Sequence, residues 1–451
     1  MKWEWGENPR LSRSCKALLS PPSVLPLPVF TLGGKVLGGR VEVRRPASDE
    51  CFMPEILGVR MEGATVFFMM RNKVMLFCTL CAAVLAFWSC KQNAGTNGVG
   101  DVVSDSLDNP RYAKGYTVKT MPNGVRLVDV ADPQKDKDRM PVSYHFALVP
   151  KAVDAQVPEG YTEVKVPIER TIVMTMLQMS NFTALDAHDV IKGITGTKNL
   201  FDKDILQRVK KGDIVKIGME GEFDPELILS ANPQVIFISP FKRGGYDAIK
   251  ETGITLIPHL GYKELDPLGQ AEWVKYVAIF IGKEKEANQV FAEIESRYLD
   301  LKKKVEGTKT RPTVFSGEMH GGNWYAVGGK NYLAQIFRDA GADYVLKDDN
   351  TGGVPIEYEK MYATAANADY WRILNSYPGD FSYEALKSSE PRNALFKAFK
   401  DRHVIYCNMK QTPYYEISPV KPDAVLADLV AIFHPELMPA DYQPVFYKLL
   451  K

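Results

Sequence analysis

Apolar and polar residues alternate with two different periods along the chain after residue 110. Two stretches of period two, Tyr116–Met121 and Val125–Val130, flank Pro122-Asn123-Gly124, which is typical of a β-hairpin turn. From Val215 onward, helical stretches alternate with short apolar runs such as Val235–Ser239. This spacing of strand, helix and strand predicts parallel sheets that are covered by helices on both faces.

One long helical stretch interrupts this alternation. Residues 268–305 keep a helical period without a strand signal, and Gly282 is the one position at which the run could divide into two helices. A helix of this length would be on the order of 50 Å long, which suits a rigid connector. Because the α/β pattern restarts afterwards, the sequence predicts an α/β fold with two Rossmann-like lobes joined by one long α-helix and an N-terminal β-hairpin extension.

The first 110 residues lack this pattern and are predicted to lie outside the α/β body of the protein. Residues 1–68 are Pro-rich and without period, which predicts a non-native or cleaved leader. Residues 69–90 combine a basic start, an apolar run too short for a membrane span of about 20 residues, and a closing Ser89-Cys90, as in a secretory signal peptide. Residues 91–110 are rich in Gly, Ser, Asn and Asp and predict a flexible tether. The body then divides into an N-terminal lobe with the β extension (111–267), the connecting helix (268–305) and a C-terminal lobe (306–451).

Composition excludes several classes of protein. The 56 Lys and Arg residues balance 55 Asp and Glu residues, whereas a nucleic-acid binder usually carries a basic excess. A hydrophobic content of 45% argues against a disordered chain, and six Cys in 451 residues do not form a disulfide scaffold. A chain that begins at Cys90 would keep only Cys90 and Cys407.

A Cys directly after a small residue resembles the signal of bacterial lipoproteins. The resemblance implies that Cys90 becomes the lipid-bearing N-terminus of a membrane-anchored protein in the cell envelope. Because Lys91-Gln92-Asn93 after Cys90 carries no acidic run, we expect the protein to face the periplasm. Bulky Phe87 and Trp88 depart from the usual pattern, and a plain signal peptide or a buried apolar helix is the alternative.

Four stretches of the body, which together cover roughly residues 160–451, carry a second resemblance. They are Thr171–Thr175 with Met179-Ser180-Asn181, Val215–Gly218 with Pro225–Val235, Gly282–Ala287, and Glu359–Trp371. In this order around a long helix, they resemble the solute-binding proteins of ABC importers for iron–siderophore complexes, haem and vitamin B12. Gln234 stands where that family usually has Asp, and Ala368 stands where it has Pro.

The resemblance implies two kinds of functional residue. Glu226 in the first lobe and Glu359 in the second match the carboxylates that dock to Arg residues of the permease, although Glu357 leaves the second assignment open to a short shift. An exposed Glu in a first helical turn is the ordinary alternative. The ligand would lie in the cleft between the lobes, and the candidate lining residues follow predicted strands: Ser180, Asn181, Phe182, Lys242, Arg243, His259, Tyr262, His320, Trp324, Tyr325, Lys410, Tyr414 and Tyr415.

This candidate lining is aromatic and basic, as expected for a chelated metal. Aromatic rings would stack on a macrocycle or catecholate, and the cationic side chains would neutralise an anionic chelate. His259 or His320 could ligate iron or cobalt, or could simply be hydrogen-bonded. A ferric siderophore is the first expectation, with a corrinoid and haem as alternatives. No Cys or His pair has zinc spacing, so we expect no bare-metal site and no resident cofactor.

Two other functional classes remain open from the sequence. A hydrolase could use Ser180 with His188 and Asp186, but the chain has no Gly-x-Ser-x-Gly elbow, no Walker loop and no dinucleotide-binding Gly motif. We therefore predict no enzyme and no catalytic residues. A surface adhesion lipoprotein is the other alternative, and it would not need the docking element to repeat in the second lobe.

Overall fold

The computed structural model describes residues 109–134, 143–219, 222–240 and 246–451. All of them fall within the unit Thr96–Lys451. The predicted leader (1–68), signal peptide (69–90) with Cys90, and almost all of the tether (91–110) lie outside the described residues. The same holds for the candidate ligand residues Lys242 and Arg243.

The predicted N-terminal hairpin is confirmed and belongs to a larger sheet. Its four strands are β1 (Tyr116–Thr120), β2 (Arg126–Ala131), β3 (Ser143–Pro150) and β4 (Thr162–Val166). β2 pairs antiparallel with β1 and with β3, while β4 runs parallel to β3. Alternate residues such as Val118, Val128 and Val130 are buried against the rest of the body, as the period of two predicts.

The first lobe is built on a five-stranded parallel sheet. Its strands are β5 (Thr171–Val173), β6 (Ile191–Ile194), β7 (Val215–Lys216), β8 (Val235–Ile238) and β9 (Thr255–Pro258). Its helices are α1 (Met176–Thr183), α2 (Lys203–Lys211), α3 (Pro225–Ser230) and α4 (Asp247–Lys250). The strand order is β7-β6-β5-β8-β9, and every residue of the central strands β5 and β8 is buried because helices cover both faces.

The two lobes are connected by two consecutive helices rather than one. They are α5 (Pro267–Ile281) and α6 (Glu284–Glu306), and the chain bends between them at Gly282, which adopts a left-handed conformation (φ 71°). Every residue of α5 except Gln270 is buried, whereas α6 buries one apolar stripe. The break thus falls where the sequence located its weak point. In the described part of the chain, no helix combines the length and apolar character needed to cross a bilayer.

The second lobe repeats the parallel sheet and adds a small antiparallel one. Its strands are β10 (Thr313–Ser316), β11 (Glu318–His320), β12 (Asn323–Val327), β13 (Asp343–Tyr344), β14 (Gly353–Ile356), β15 (Tyr370–Asn375), β16 (Val404–Asn408) and β17 (Lys448–Leu449). Its helices are α7 (Tyr332–Asp339), α8 (Tyr358–Ala365), α9 (Tyr383–Ser389), α10 (Lys397–Lys400), α11 (Tyr414–Ile417) and α12 (Pro422–Phe433). The main sheet has the order β13-β10-β15-β16-β17, with only β17 antiparallel, and β11-β12-β14 form the second sheet.

A polar side chain directly before a central strand performs the same task in each lobe. In the first lobe, the Gln234 Oε1 atom accepts hydrogen bonds from the backbone N–H groups of Glu169 and Arg170 at 2.8 and 3.2 Å. In the second, the Asp369 Oδ2 atom accepts one from the backbone N–H of Thr313 at 2.9 Å. An amide oxygen replaces a carboxylate oxygen as acceptor, which explains why Gln at position 234 leaves the fold intact.

Candidate functional site

The segments that follow the carboxyl ends of the parallel strands in one lobe contact the corresponding segments of the other lobe. The Glu416 carboxylate of α11, after β16, accepts the backbone N–H groups of Phe201 and Asp202, after β6, at 2.6 and 2.9 Å. Desolvation raises the pKa of Glu416 above its ordinary value. α11 also packs on α1, which begins just after β5. These contacts bring the strand ends of both lobes to one cleft, the usual place for a ligand in open α/β sheets.

A pocket opens in the first lobe at the ends of β5 and β6. It holds about 540 Å³ of free space, which includes the open solvent at its mouth. Its most distinctive feature is a set of four methionines, which we call the thioether wall. The wall consists of Met174, Met176, Met179 and Met219, and the other lining residues are Val173, Thr175, Ile194, Thr195, Gly196, Lys198 and Leu200.

The thioether wall was not among the sequence-predicted site residues. Its signal was present in the printed sequence, because Met174, Met176 and Met179 follow one another closely at the end of a predicted strand. Three thioethers at this spacing are unusual for a solvated loop. Met219 could not be associated with them from the sequence, because it joins the pocket from the segment after β7.

The resemblance to the solute-binding family implies a ligand-facing loop at Met179-Ser180-Asn181, whereas the structure has a helix, α1, over these residues. Thr175 and Gln178 form a reciprocal capping box that starts α1 immediately after the strand. Ser180, Asn181 and Phe182 therefore lie on α1 with buried side chains. The Ser180 hydroxyl donates to the Leu177 carbonyl at 2.7 Å, so the serine considered for a hydrolase is neither exposed nor next to a base.

His259 lies behind the cleft wall. Its ring is fully buried, with its centroid 4.6 Å from the Trp273 ring and its Nε2 atom 3.4 Å from the Asn181 amide nitrogen. Desolvation lowers the pKa of His259 to about 3, so the ring is neutral at physiological pH. Tyr262 follows on a short 3-10 helix and is half-buried.

The candidates of the second lobe divide into buried and exposed side chains. His320 and Tyr325 lie on the β11–β12 hairpin with ring centroids 6.1 Å apart, and Tyr325 is 46% exposed. Trp324, on the opposite face of β12, is buried and donates from Nε1 to the Ser316 carbonyl at 2.9 Å. Alternation along β12 thus separates two neighbours that the sequence could not distinguish.

The segment after β16 likewise carries both buried and exposed candidate side chains. Tyr414 is buried against Tyr447 and Phe446, whereas Tyr415 is 52% exposed and Lys410 is exposed. A carboxylate also lies on the neighbouring strand β11. The half-buried Glu318 carboxylate accepts the Asn375 amide at 3.1 and 3.2 Å, and desolvation raises the pKa of Glu318.

Glu226 and Glu359 occupy corresponding places in the two lobes. Each is exposed in the first turn of the helix that precedes a central strand, α3 before β8 and α8 before β15. Glu226 stands beside Leu227 and near Leu229, both large exposed apolar side chains. Glu359 forms an ion pair with Arg392 at 3.2 Å.

Comparison with known proteins assigns the class to which these features belong. Residues 174–410, more than half of the chain, match the model of the family described as periplasmic binding protein. The chain therefore belongs to this family, the solute-binding proteins of ABC importers, as its sequence predicts. The α/β fold with two lobes is likewise confirmed.

Individual proteins are also similar to this chain. The chain is 33% identical over 304 residues to the uncharacterized lipoprotein MJ0878 of Methanocaldococcus jannaschii, covering 64% of this chain and 70% of that protein. It is 24% identical to the uncharacterized lipoprotein MJ0872 of the same organism, covering 85% of this chain and all of that protein. Among solved structures, a periplasmic binding protein from Veillonella parvula is similar with a TM-score of 0.50 at 16% identity, covering 68% of this chain and 98% of that one.

Proposed function

We propose that this protein captures an intact metal chelate in the cleft between its lobes and delivers it to the permease of an ABC importer. The observation that carries the proposal is a set of large exposed apolar side chains, with Met219 lining the pocket of the first lobe and Tyr325 and Tyr415 exposed on the second lobe. Exposed large apolar side chains are favourable places for a ligand to replace water.

The candidate residues divide between contact with the chelate and support of the contact residues. His320, Tyr325, Lys410 and Tyr415 have exposed side chains that would contact it directly. The buried candidates would fix the walls from behind: Ser180, Asn181, Phe182, His259, Trp324 and Tyr414. Tyr262 is intermediate, because its side chain is half-buried. Lys242 and Arg243 are proposed as further cationic contacts. A ferric siderophore, a corrinoid and haem are the chelates that this architecture could carry.

We further propose that Cys90 carries a lipid that anchors the protein in the cell envelope. Two relatives are named lipoproteins, which supports this proposal. The tether at 91–110 would then let the two-lobed body stand off the membrane and reach its permease from a fixed anchor.

Docking to the permease would use Glu226 and Glu359. Because both are exposed on rigid lobes and equivalent in position, they could meet two basic sites at a fixed separation. The double variant Glu226→Ala/Glu359→Ala should retain ligand affinity, while stimulation of the importer's ATPase in proteoliposomes should fall at least about tenfold.

A matched pair of exposed glutamates provides the control. Glu251→Ala/Glu384→Ala removes one carboxylate from each lobe, with Glu384 also in a first helical turn, and should leave the stimulation unchanged. Unchanged stimulation in the Glu226/Glu359 variant would contradict docking through these residues. Loss of ligand binding in that variant would instead assign them to the cleft.

A further inference from the structure

The thioether wall gives the pocket of the first lobe a largely apolar lining. Met174 and Met179 are buried at its base, whereas Met219 is 69% exposed at its mouth. An exposed Met costs hydrophobic free energy unless something covers it. Unbranched, polarisable Met side chains adapt their shape to an apolar surface more readily than Leu or Ile. The wall therefore suits a ligand that presents an apolar face.

One cation stands among these apolar groups. Lys198 lines the same pocket as the four methionines and is the only charged residue among the described lining residues. A ligand that matches both features has an apolar body and an anionic edge, since an ammonium group would pair with a carboxylate at the rim. A chelate whose outer surface is polar throughout would lose water along the thioether wall without gaining hydrogen bonds.

The second lobe supplies an aromatic ring near this pocket. Glu416 is bonded to the backbone of Phe201 and Asp202, which directly follow the lining residue Leu200. The neighbouring Tyr415 is exposed on the same short helix, α11. A flat ligand that extends from the thioether wall towards the second lobe would therefore meet an aromatic side chain there, which favours planar ligands.

We propose that the thioether wall is the specificity site of the cleft and that it selects an iron porphyrin, a planar macrocycle with an apolar face and carboxylates at its edge. This inference rests on the proposed function and narrows it to one class of chelate. In this account, the macrocycle lies against Met219 and its companions, and a propionate is directed to Lys198. A corrinoid with an amide-bearing rim and a ferric hydroxamate with a polar surface match the wall less well.

The test is a titration of the purified full chain with haemin, cyanocobalamin and ferrioxamine B, followed by absorbance and by quenching of Trp fluorescence. We expect one haemin per chain and at least about tenfold weaker binding of the other two. Met219→Gln should weaken haemin binding about tenfold, whereas Met219→Leu should stay within about threefold because it keeps the apolar contact. Lys198→Gln should weaken haemin but not its dimethyl ester.

Met121→Gln is the matched control, because Met121 lies on the N-terminal hairpin in a separate apolar cluster. Its haemin affinity should equal that of the unmodified protein. Equal haemin affinity in Met219→Gln, or an equal loss in Met219→Leu, would overturn the thioether wall as the contact surface. Binding of ferrioxamine B or cyanocobalamin in preference to haemin would overturn this inference alone, whereas binding of none of the three would contradict the proposed function as well.

Discussion

At the scale of single residues, His259 shows how burial decides what a polar side chain can do. Its position after β9 is typical of a ligand-binding loop, but Trp273 and Tyr276 enclose the ring with centroid distances of 4.6 and 6.1 Å. The low pKa of His259 follows from this enclosure, because a charged imidazolium would lose its water. The residue therefore stabilises the wall of the cleft as a neutral ring.

This burial predicts a pH-dependent stability. The pKa of His259 is about 3 in the folded protein and about 6.5 when unfolded, so the unfolded chain binds an extra proton between these values. The contribution is present above pH 6.5 and is lost as the pH falls towards 3. Between pH 7.5 and 5.0, the unmodified protein should lose up to about 2 kcal/mol more unfolding free energy than His259→Gln does.

Denaturant unfolding at the two pH values measures this difference. Both proteins carry the same remaining titratable groups, so subtracting one pH-induced change from the other isolates His259. An identical loss of stability in the two proteins would show that His259 is protonated in the native state.

Burial is also the property that the sequence predicted least well. The candidate aromatic residues after strands include both buried and exposed side chains, and the pattern did not separate Trp324 from Tyr325 or Tyr414 from Tyr415. For Trp324 and Tyr325, the three-residue strand β11 and the hairpin turn at Gly321-Gly322 give too short a period-two signal. For Tyr414 and Tyr415, the four-residue helix α11 is too short to show a helical period. The face on which each side chain lies therefore required tertiary structure.

At the scale of elements, local signals predicted most helices and strands well. The starts of α3 and α7 carry such signals, because the side chains of Asp224 and Asn331 accept hydrogen bonds from backbone N–H groups of the first helical turn. The start of α1 was missed because no Gly or Pro separates it from β5, so its capping residues lie within an apolar run. The connector divides into α5 and α6 because Gly282 adopts a left-handed conformation. Glycine allows this conformation, but its presence in the sequence does not require it.

Gly282 offers a test at this scale. Its φ of 71° is unfavourable for any residue with a Cβ atom, and an added Cβ would approach the Pro167 side chain to 3.4 Å. Gly282→Ala should therefore lower the unfolding free energy by about 1–2 kcal/mol. Gly307→Ala is the control, because Gly307 ends α6 with a φ of −79° that alanine adopts readily, and it should be neutral or slightly stabilising.

Thermal or denaturant unfolding of the two variants distinguishes the cause. A loss confined to Gly282→Ala supports the left-handed break between α5 and α6. Equal stability of the two variants would mean that the helices are continuous through residue 282.

At the scale of the whole molecule, the two lobes use the same construction around one cleft. Gln234 and Asp369 fix corresponding strands, and α6, a single continuous helix of 23 residues, leads from the first lobe to the second. The lobes also meet through Glu416 and through a 2.8 Å hydrogen bond from Thr351 to Gln134. Such a frame leaves a cleft between two walls.

The central claim is that this protein carries a metal chelate without altering it. Native mass spectrometry of the protein, incubated with a mixture of haemin, cyanocobalamin and ferric siderophores, tests this most directly. We predict one ligand per chain, with a mass increment equal to the intact chelate and recovery of the same compound after denaturation. Retention of no member of the mixture, or release of a chemically changed product, would contradict the account.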